Sequence, residues 1–226
     1  DIQDLRETLV AVRHDLHKHP EMGFEERRTQ GVVREWLERH GYEPRDSAGT
    51  GLIASLVLFV IALMTSHSMM AIMSLALAGA LLGFLRYNFQ PAKIYLGDAG
   101  SMFIGLMLGT LAMIGVYTDH NQAGYLAPLL ILGVPVYDTM LVMYLRWRKG
   151  MSVIHGSPDH FALRLRKRGL STRQTVVTTD AAGCILALAA LGITLAKTEL
   201  LSMSVFLCAG ACGLALTLWI KRIQME

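Results

Sequence analysis

Six apolar runs decide most of what this chain can fold into. They lie at about residues 52–66, 68–85, 101–117, 125–145, 177–196 and 200–220, and the first is short. A helix that crosses a bilayer needs about 20 mostly apolar residues, and backbone in lipid must satisfy its own hydrogen bonds. The breaks between runs are polar: Ser66-His67-Ser68, Thr118-Asp119-His120-Asn121-Gln122 and Lys197-Thr198-Glu199. The expected fold is therefore all-α, a polytopic membrane helix bundle of about six transmembrane helices spanning residues 52–226. Composition agrees, with 53% hydrophobic and 17% charged residues, where a soluble domain carries about 25% charged. Nothing in the chain points to nucleic acid; the bilayer is the expected partner.

The basic residues set an orientation. Arg86 and Lys93 lie in the 86–100 loop. Arg146, Arg148, Lys149, Arg164, Arg166, Lys167, Arg168 and Arg173 lie in the 146–176 loop, and Lys221 and Arg222 in the tail. With six alternating spans these share one face and only Lys197 falls on the other. The rich face is cytoplasmic by the positive-inside rule, so both termini are expected there, in an inner (plasma) membrane. Residues 1–51 carry 8 Lys and Arg against 11 Asp and Glu, whereas the rest carries 13 against 7. This asymmetry marks two parts, 1–51 and 52–226. Cys184, Cys208 and Cys212 all sit in apolar runs without zinc-site spacing and are expected as buried thiols.

The densest polar signal is Asn88-Phe89-Gln90-Pro91-Ala92-Lys93-Ile94-Tyr95-Leu96-Gly97-Asp98-Ala99-Gly100-Ser101, at the cytoplasmic mouth of the third span. Asp98 is expected just before a helix start. There it either caps the helix or holds a divalent cation facing a phosphate, since magnesium commonly bridges one or two carboxylates to substrate phosphates. Lys93 would add a point charge for the same phosphates. Asp138 is a carboxylate inside an apolar helix. It is a functional candidate by the cost of burying charge there, or a structural carboxylate bonded to a neighbouring helix. Pro135 should kink that helix. The basic 146–176 loop follows from topology alone, or attracts anionic headgroups or a nucleotide diphosphate. His160 beside Asp159 is either a pair oriented toward phosphate or a solvated loop histidine.

Together, Asn88-Phe89-x-Pro91-Ala92-Lys93-Ile94-x-Leu96-Gly97-Asp98-Ala99-Gly100-Ser101, Pro135-Val136-Tyr137-Asp138-Thr139 and Ser157-Pro158-Asp159-His160 resemble, in order and spacing, the polyprenyl-phosphate N-acetylhexosamine-1-phosphate transferases. The resemblance covers residues 52–226. It implies attack of a polyprenyl phosphate on a UDP-amino sugar, giving a polyprenyl-diphospho-sugar and UMP, with Mg2+ required. By that resemblance Asp98 and His160 are catalytic candidates, with Asp98 the metal ligand. Asn88, Lys93, Asp138, Asp159 and Arg164 are substrate-binding candidates. The family's His-x-His-His stretch reads here His160-Phe161-Ala162-Leu163-Arg164, with Arg164 and Arg166 as replacement diphosphate contacts. No adjacent Asp-Asp pair occurs in the chain, and Asp46-Ser47-Ala48-Gly49-Thr50-Gly51 stands where the family has its Asn/Asp-Gly segment. The expectation is a C-terminal half with little or no activity by itself; the alternative is a non-catalytic membrane protein that binds a partner half or lipid diphosphates.

The first fifty residues read as a short cytoplasmic helix pair. Ile2, Leu5, Leu9, Val12 and Leu16 follow helical spacing, as do Val32, Val33, Trp36 and Leu37. Between them, Arg13-His14-Asp15-Leu16 and His17-Lys18-His19-Pro20-Glu21-Met22-Gly23-Phe24-Glu25-Glu26, with Thr29 after, resemble the start of aminoacylase/carboxypeptidase-type metallo-amidohydrolases. That family's di-metal ligands lie further along, so a truncated amidohydrolase is the lesser alternative. His17, His19 and Glu21 read as a helix end and turn. The two resemblances meet near Gly49-Thr50-Gly51-Leu52, as expected of a chimeric join.

Overall fold

The computed structural model describes residues 10, 11, 13–15, 17–19, 28, 32, 48–89, 93–152 and 160–220, with Asp98 described by its backbone alone. The chain divides into two units, Asp1–Arg45 and Asp46–Glu226, six residues from the boundary read at residue 51. In the first, residues 10, 11, 13–15, 17, 18, 28 and 32 are helical. Arg28 pairs with Asp15 at 2.8 Å, and the His19 ring nitrogen Nδ1 lies 3.0 Å from the Asp15 carbonyl. The apolar stripe expected at Ile2, Leu5, Leu9, Val12 and Leu16 lies outside the described residues.

The second unit is all-helical among its described residues: α1 (Ala48–Met64), α2 (Ser68–Asn88), α3 (Gly97–Ile114), a short 3-10 turn (Gln122–Leu126), α4 (Ala127–Ile131), α5 (Gly133–Arg148), α6 (Phe161–Lys167), α7 (Thr172–Leu195) and α8 (Glu199–Ile220). α2, α7 and α8 are long and apolar enough to cross a membrane, and the bent pair of 3-10 turn plus α4 with α5 makes a fourth candidate. α1 and α3 are apolar but shorter, about 26 Å at 1.5 Å per residue against a hydrocarbon core of about 30 Å. Length and composition thus give three or four spans where about six were expected.

α1 is the central element, packed along α2 and against α7 and α3. Leu58, Ile61 and Ala62 of α1 meet Leu81, Leu108, Leu111, Ala187, Ala190 and Ile193 in one buried cluster. Small residues let α1, α5 and α7 approach closely: a methyl group on Gly183 of α7 would touch Thr50, Ile53 and Val134. Outward faces remain apolar. Met113 is 88% exposed and Leu200 80%, surface that lipid rather than water accommodates. Cys184, Cys208 and Cys212 belong to these outward faces, exposed and unpaired, which corrects the expectation of buried thiols. Their apolar neighbours in sequence mark a lipid-facing surface and not a protein interior.

The expected kink also sits elsewhere. α4 and α5 meet at a 72° bend, and the break falls at Leu132, not at Pro135. Pro135 is the third residue of α5, within the first turn, where backbone N–H groups have no helical partner to lose.

A buried amide closes one end of the unit. Asn121 Nδ2 donates to the carbonyls of Ile193 (3.0 Å) and Ala196 (2.7 Å), and its Oδ1 accepts from Ser202 Oγ at 3.1 Å. This ties the 115–121 segment to the end of α7 and the start of α8. Asn121→Ala removes the side-chain donor from the Ala196 carbonyl and one of the donors to the buried Ile193 carbonyl, which Ser202 Oγ still reaches at 3.2 Å. It should lower stability by roughly 2–4 kcal/mol, read as a lower melting temperature in detergent, with Ser202→Ala costing less.

Candidate functional site

Glycine neighbours establish which helix ends lie together. Gly51, near the start of α1, lies against Leu81 in the second half of α2 and against Ile104 and Leu108 of α3. Gly49 abuts the Asp180 carboxyl group near the start of α7, and Gly183 touches Val134, one turn before Asp138 in α5. The start of α1, the end of α2 and the starts of α3 and α7 therefore share one end of the bundle. The sequence candidates Asn88, Lys93, Asp98, Asp138 and His160 belong to that end.

Residues 93 and 94 lie back against the last turn of α2. Asn88 Nδ2 donates to the Ile94 carbonyl at 2.9 Å, and the Lys93 N–H donates to the Tyr87 carbonyl at 2.8 Å. The Asn88 side chain is 3% exposed, and its Oδ1 is buried with no hydrogen-bond partner among the described residues. Lys93 is exposed. Gly97 then opens α3 at φ +68°, a left-handed conformation that side chains resist. Asp98 is the second residue of that helix, and the cap position is Leu96, without a side-chain cap bond. Asp98 thus sits one step inside the helix start, in the first turn where backbone amides are free, and not just before it as the sequence suggested.

The second constellation joins α5 to α6. Asp138 Oδ2 lies 2.7 Å from His160 Nδ1, and Asp138 Oδ1 accepts the Phe161 N–H at 2.8 Å. Asp138, Leu141 and Leu145 recur along one stripe of α5; Leu141 and Leu145 pack with Phe161, Leu165 and Ile220. Tyr137 meets Phe161 edge-on, with centroids 5.8 Å apart, and its hydroxyl lies 3.2 Å from Thr217 Oγ1. The neighbour read beside His160 in sequence, Asp159, lies outside the described residues, as do Ser157 and Pro158. The acidic partner that the structure gives the histidine is Asp138, 22 residues earlier.

The basic residues divide. Arg164 is 2% exposed and donates to the Ile220 carbonyl at the end of α8, so its guanidinium braces α6 against α8. Arg146 is buried and donates from Nε to the Ser152 carbonyl. Arg168 stacks over Trp219, 4.0 Å from the ring centroid. Arg148, Lys149, Lys167 and Arg173 are exposed. Among the described residues no three His, Cys, Asp or Glu side chains converge in a metal cluster.

Sequence reasoning passed over Asp180. It is half-buried in an apolar helix, with its carboxyl against Gly49. The signal was present, because an acidic residue inside an apolar span is costly and so a candidate by default, the same argument that singled out Asp138.

Comparison with known proteins bears on what this end of the bundle does. Residues 47–116, which hold α1, α2, the Asn88–Ser101 motif and α3, match a family model. The family is glycosyl transferase family 4. A probable undecaprenyl-phosphate N-acetylglucosaminyl 1-phosphate transferase of Bacillus subtilis is 32% identical over 161 residues, 71% of this chain and 44% of the relative. A decaprenyl-phosphate N-acetylglucosaminephosphotransferase of Mycolicibacterium smegmatis is 37% identical over 150 residues, 58% of this chain and 37% of the relative. A phospho-N-acetylmuramoyl-pentapeptide-transferase of Halalkalibacterium halodurans is 33% identical over 147 residues, 64% and 42%. The chain spans less than half the length of these relatives. No solved structure matches it.

Proposed function

We propose that residues 48–226 form part of a membrane transferase that moves N-acetylhexosamine 1-phosphate from a UDP-sugar to a polyprenyl phosphate. The observation that carries this reading is the gathering of the end of α2 with Asn88, the start of α3 and the Asp138–His160 pair at one end of an apolar bundle whose relatives are polyprenyl-phosphate sugar-phosphate transferases. In this reading the shared end faces the cytoplasm. α1, α2, α3, the bent pair, α7 and α8 thread the plasma membrane six times, with short α1 and α3 accommodated by tilt or local thinning.

Asp98 is the proposed magnesium ligand. One carboxylate fits an ion that takes its remaining oxygens from substrate phosphates and water, and the described residues offer no preformed cage. The bound ion would supply positive charge against the diphosphate. Lys93, exposed on the preceding turn, adds a point charge for the same group. Asn88 braces the segment leading into α3 through its bond to the Ile94 carbonyl. Arg164, buried against α8, serves this site by holding α6 in place rather than by touching substrate. The N-terminal unit is read, on resemblance alone, as an amidohydrolase-like helix pair joined to this domain.

A graft tests the activity. Residues 48–226 replace the matching segment of the Bacillus subtilis relative, and membranes are assayed for UMP release from UDP-N-acetylglucosamine and polyprenyl phosphate. Release dependent on both substrates is expected; an inert graft that nonetheless inserts and folds would remove the reading. Topology has its own check. Reporter fusions in the 97–101 turn and the 164–168 segment should report the same side of the membrane.

A further inference from the structure

A carboxylate that crosses from one helix to anchor a histidine on another does more than fill a polar gap. Asp138 uses both oxygens, Oδ2 toward His160 Nδ1 and Oδ1 on the Phe161 N–H. His160 is the residue before α6 and makes no side-chain cap bond of its own, so Asp138 supplies from α5 the acceptor that the first amide of α6 needs. The ring and the carboxylate are 18% and 25% exposed, enclosed enough to be held and open enough to be reached. An ionised carboxylate can only accept, so His160 Nδ1 carries a proton. The two ring nitrogens point to different sides, and Nε2 faces away from Asp138.

We infer that Asp138 is a positioning residue: it holds the proton on His160 Nδ1 and fixes the ring's orientation, so that Nε2 faces a phosphate of the nucleotide sugar. This rests on the transferase reading. A neutral Nδ1–H ring has no Nε2 proton to give, so the contact requires the imidazolium, whose Nε2–H donates to the phosphate while Asp138 balances the charge. The arrangement parallels the way outer-shell carboxylates orient histidine ligands at metal sites, with a phosphate in the place of the metal. Apolar packing of Phe161 and Leu165 on Leu141 and Leu145 keeps α6 from drifting off the carboxylate.

The isosteric variant makes a sharp test. In Asp138→Asn the amide oxygen still serves the Phe161 N–H, which leaves the NH2 group facing His160 Nδ1. That nitrogen must then accept, so the neutral Nε2–H tautomer is enforced. The full chain, labelled with 15N-histidine and purified in detergent, is measured with His160→Asn assigning the resonance. The parent should keep Nδ1 protonated, and Asp138→Asn should lose that proton. Asp138→Glu should recover it in part and serves if the Asn variant fails to fold. UDP-N-acetylglucosamine should shift the Nε2 resonance in the parent and bind roughly tenfold more weakly to Asp138→Asn. An unprotonated Nδ1 in the parent, or an Asn variant with unchanged tautomer and unchanged affinity, overturns the inference. A tautomer that switches as expected while the nucleotide sugar moves neither resonance instead overturns the nucleotide-binding reading, so the two failures are told apart.

Discussion

Asp98→Asn in the grafted transferase should lower UMP release by roughly 100-fold or more, with insertion and melting temperature nearly unchanged. The size follows from the proposed role, because a group that holds the cation against a reacting diphosphate acts on charge where charge changes most. Phosphoryl transfer leaves the protein little to do besides positioning and charge neutralisation, so no second route compensates. The position makes the test discriminating. Asp98 is the second residue of α3 and not its cap, and a negative charge in a first helical turn is worth about 0.3–1 kcal/mol. Asparagine removes that charge while keeping an oxygen and nearly the same volume. If Asp98 only steadied the helix, the variant would melt slightly lower and turn over within a few-fold of the parent. Raising the magnesium concentration gives a second readout. A weakened ligand should be partly rescued by more metal, whereas a helix start should not respond to it.

How much of this was legible in the sequence depends on the range of the interaction. The helices were readable because lipid leaves backbone so few options; the runs at 68–85 and 200–220 became Ser68–Asn88 and Glu199–Ile220. Their ends shifted where a polar residue was absorbed into a terminal turn, as Asn88 was through its bond to the Ile94 carbonyl. Pro135 drew the kink to itself on paper, yet proline in a first turn gives up no helical hydrogen bond, and the chain broke at Leu132 instead. Apolar neighbours made the cysteines look buried, because one-dimensional patterning cannot separate lipid from protein as the apolar surroundings. The site was legible as a set of residue types and much less as a set of partners. His160 was read with the adjacent Asp159, but Asp138 reaches it across 22 residues of chain. Arg164 was read as an anion contact because it is basic and lies in a loop; its burial against the end of α8 is a tertiary fact. Asp180 shows the opposite failure, a local signal that was strong enough and went unused.

Gly124→Ala should be the most damaging single-methyl change in the described part of the chain, while Gly192→Ala should be harmless. A Cβ built on Gly124 falls on the Tyr117 carbonyl oxygen, with the Tyr117 carbonyl carbon close behind. Relief would require backbone to move, and that backbone is held on both sides. The Tyr117 hydroxyl donates to the Ala112 carbonyl at 2.8 Å, and burial, which raises the phenol's pKa well above its ordinary value, keeps it a donor. Four residues on, Asn121 is clamped to Ile193 and Ala196. Moving the segment to admit the methyl group would break several of these bonds at once, at roughly 1 kcal/mol or more each, in addition to the overpacking. The variant should lose about 3 kcal/mol or more and accumulate poorly in the membrane. Gly192 lies exposed on α7 with open space where its Cβ would go, and alanine there trades backbone freedom for helix propensity. Size-exclusion profiles of fluorescent-protein fusions in detergent measure both. A monodisperse Gly124→Ala protein with the parent's melting temperature would mean that the 115–126 segment is not pinned by Asn121 and Tyr117, and the proposed cost of Asn121→Ala would fall with it.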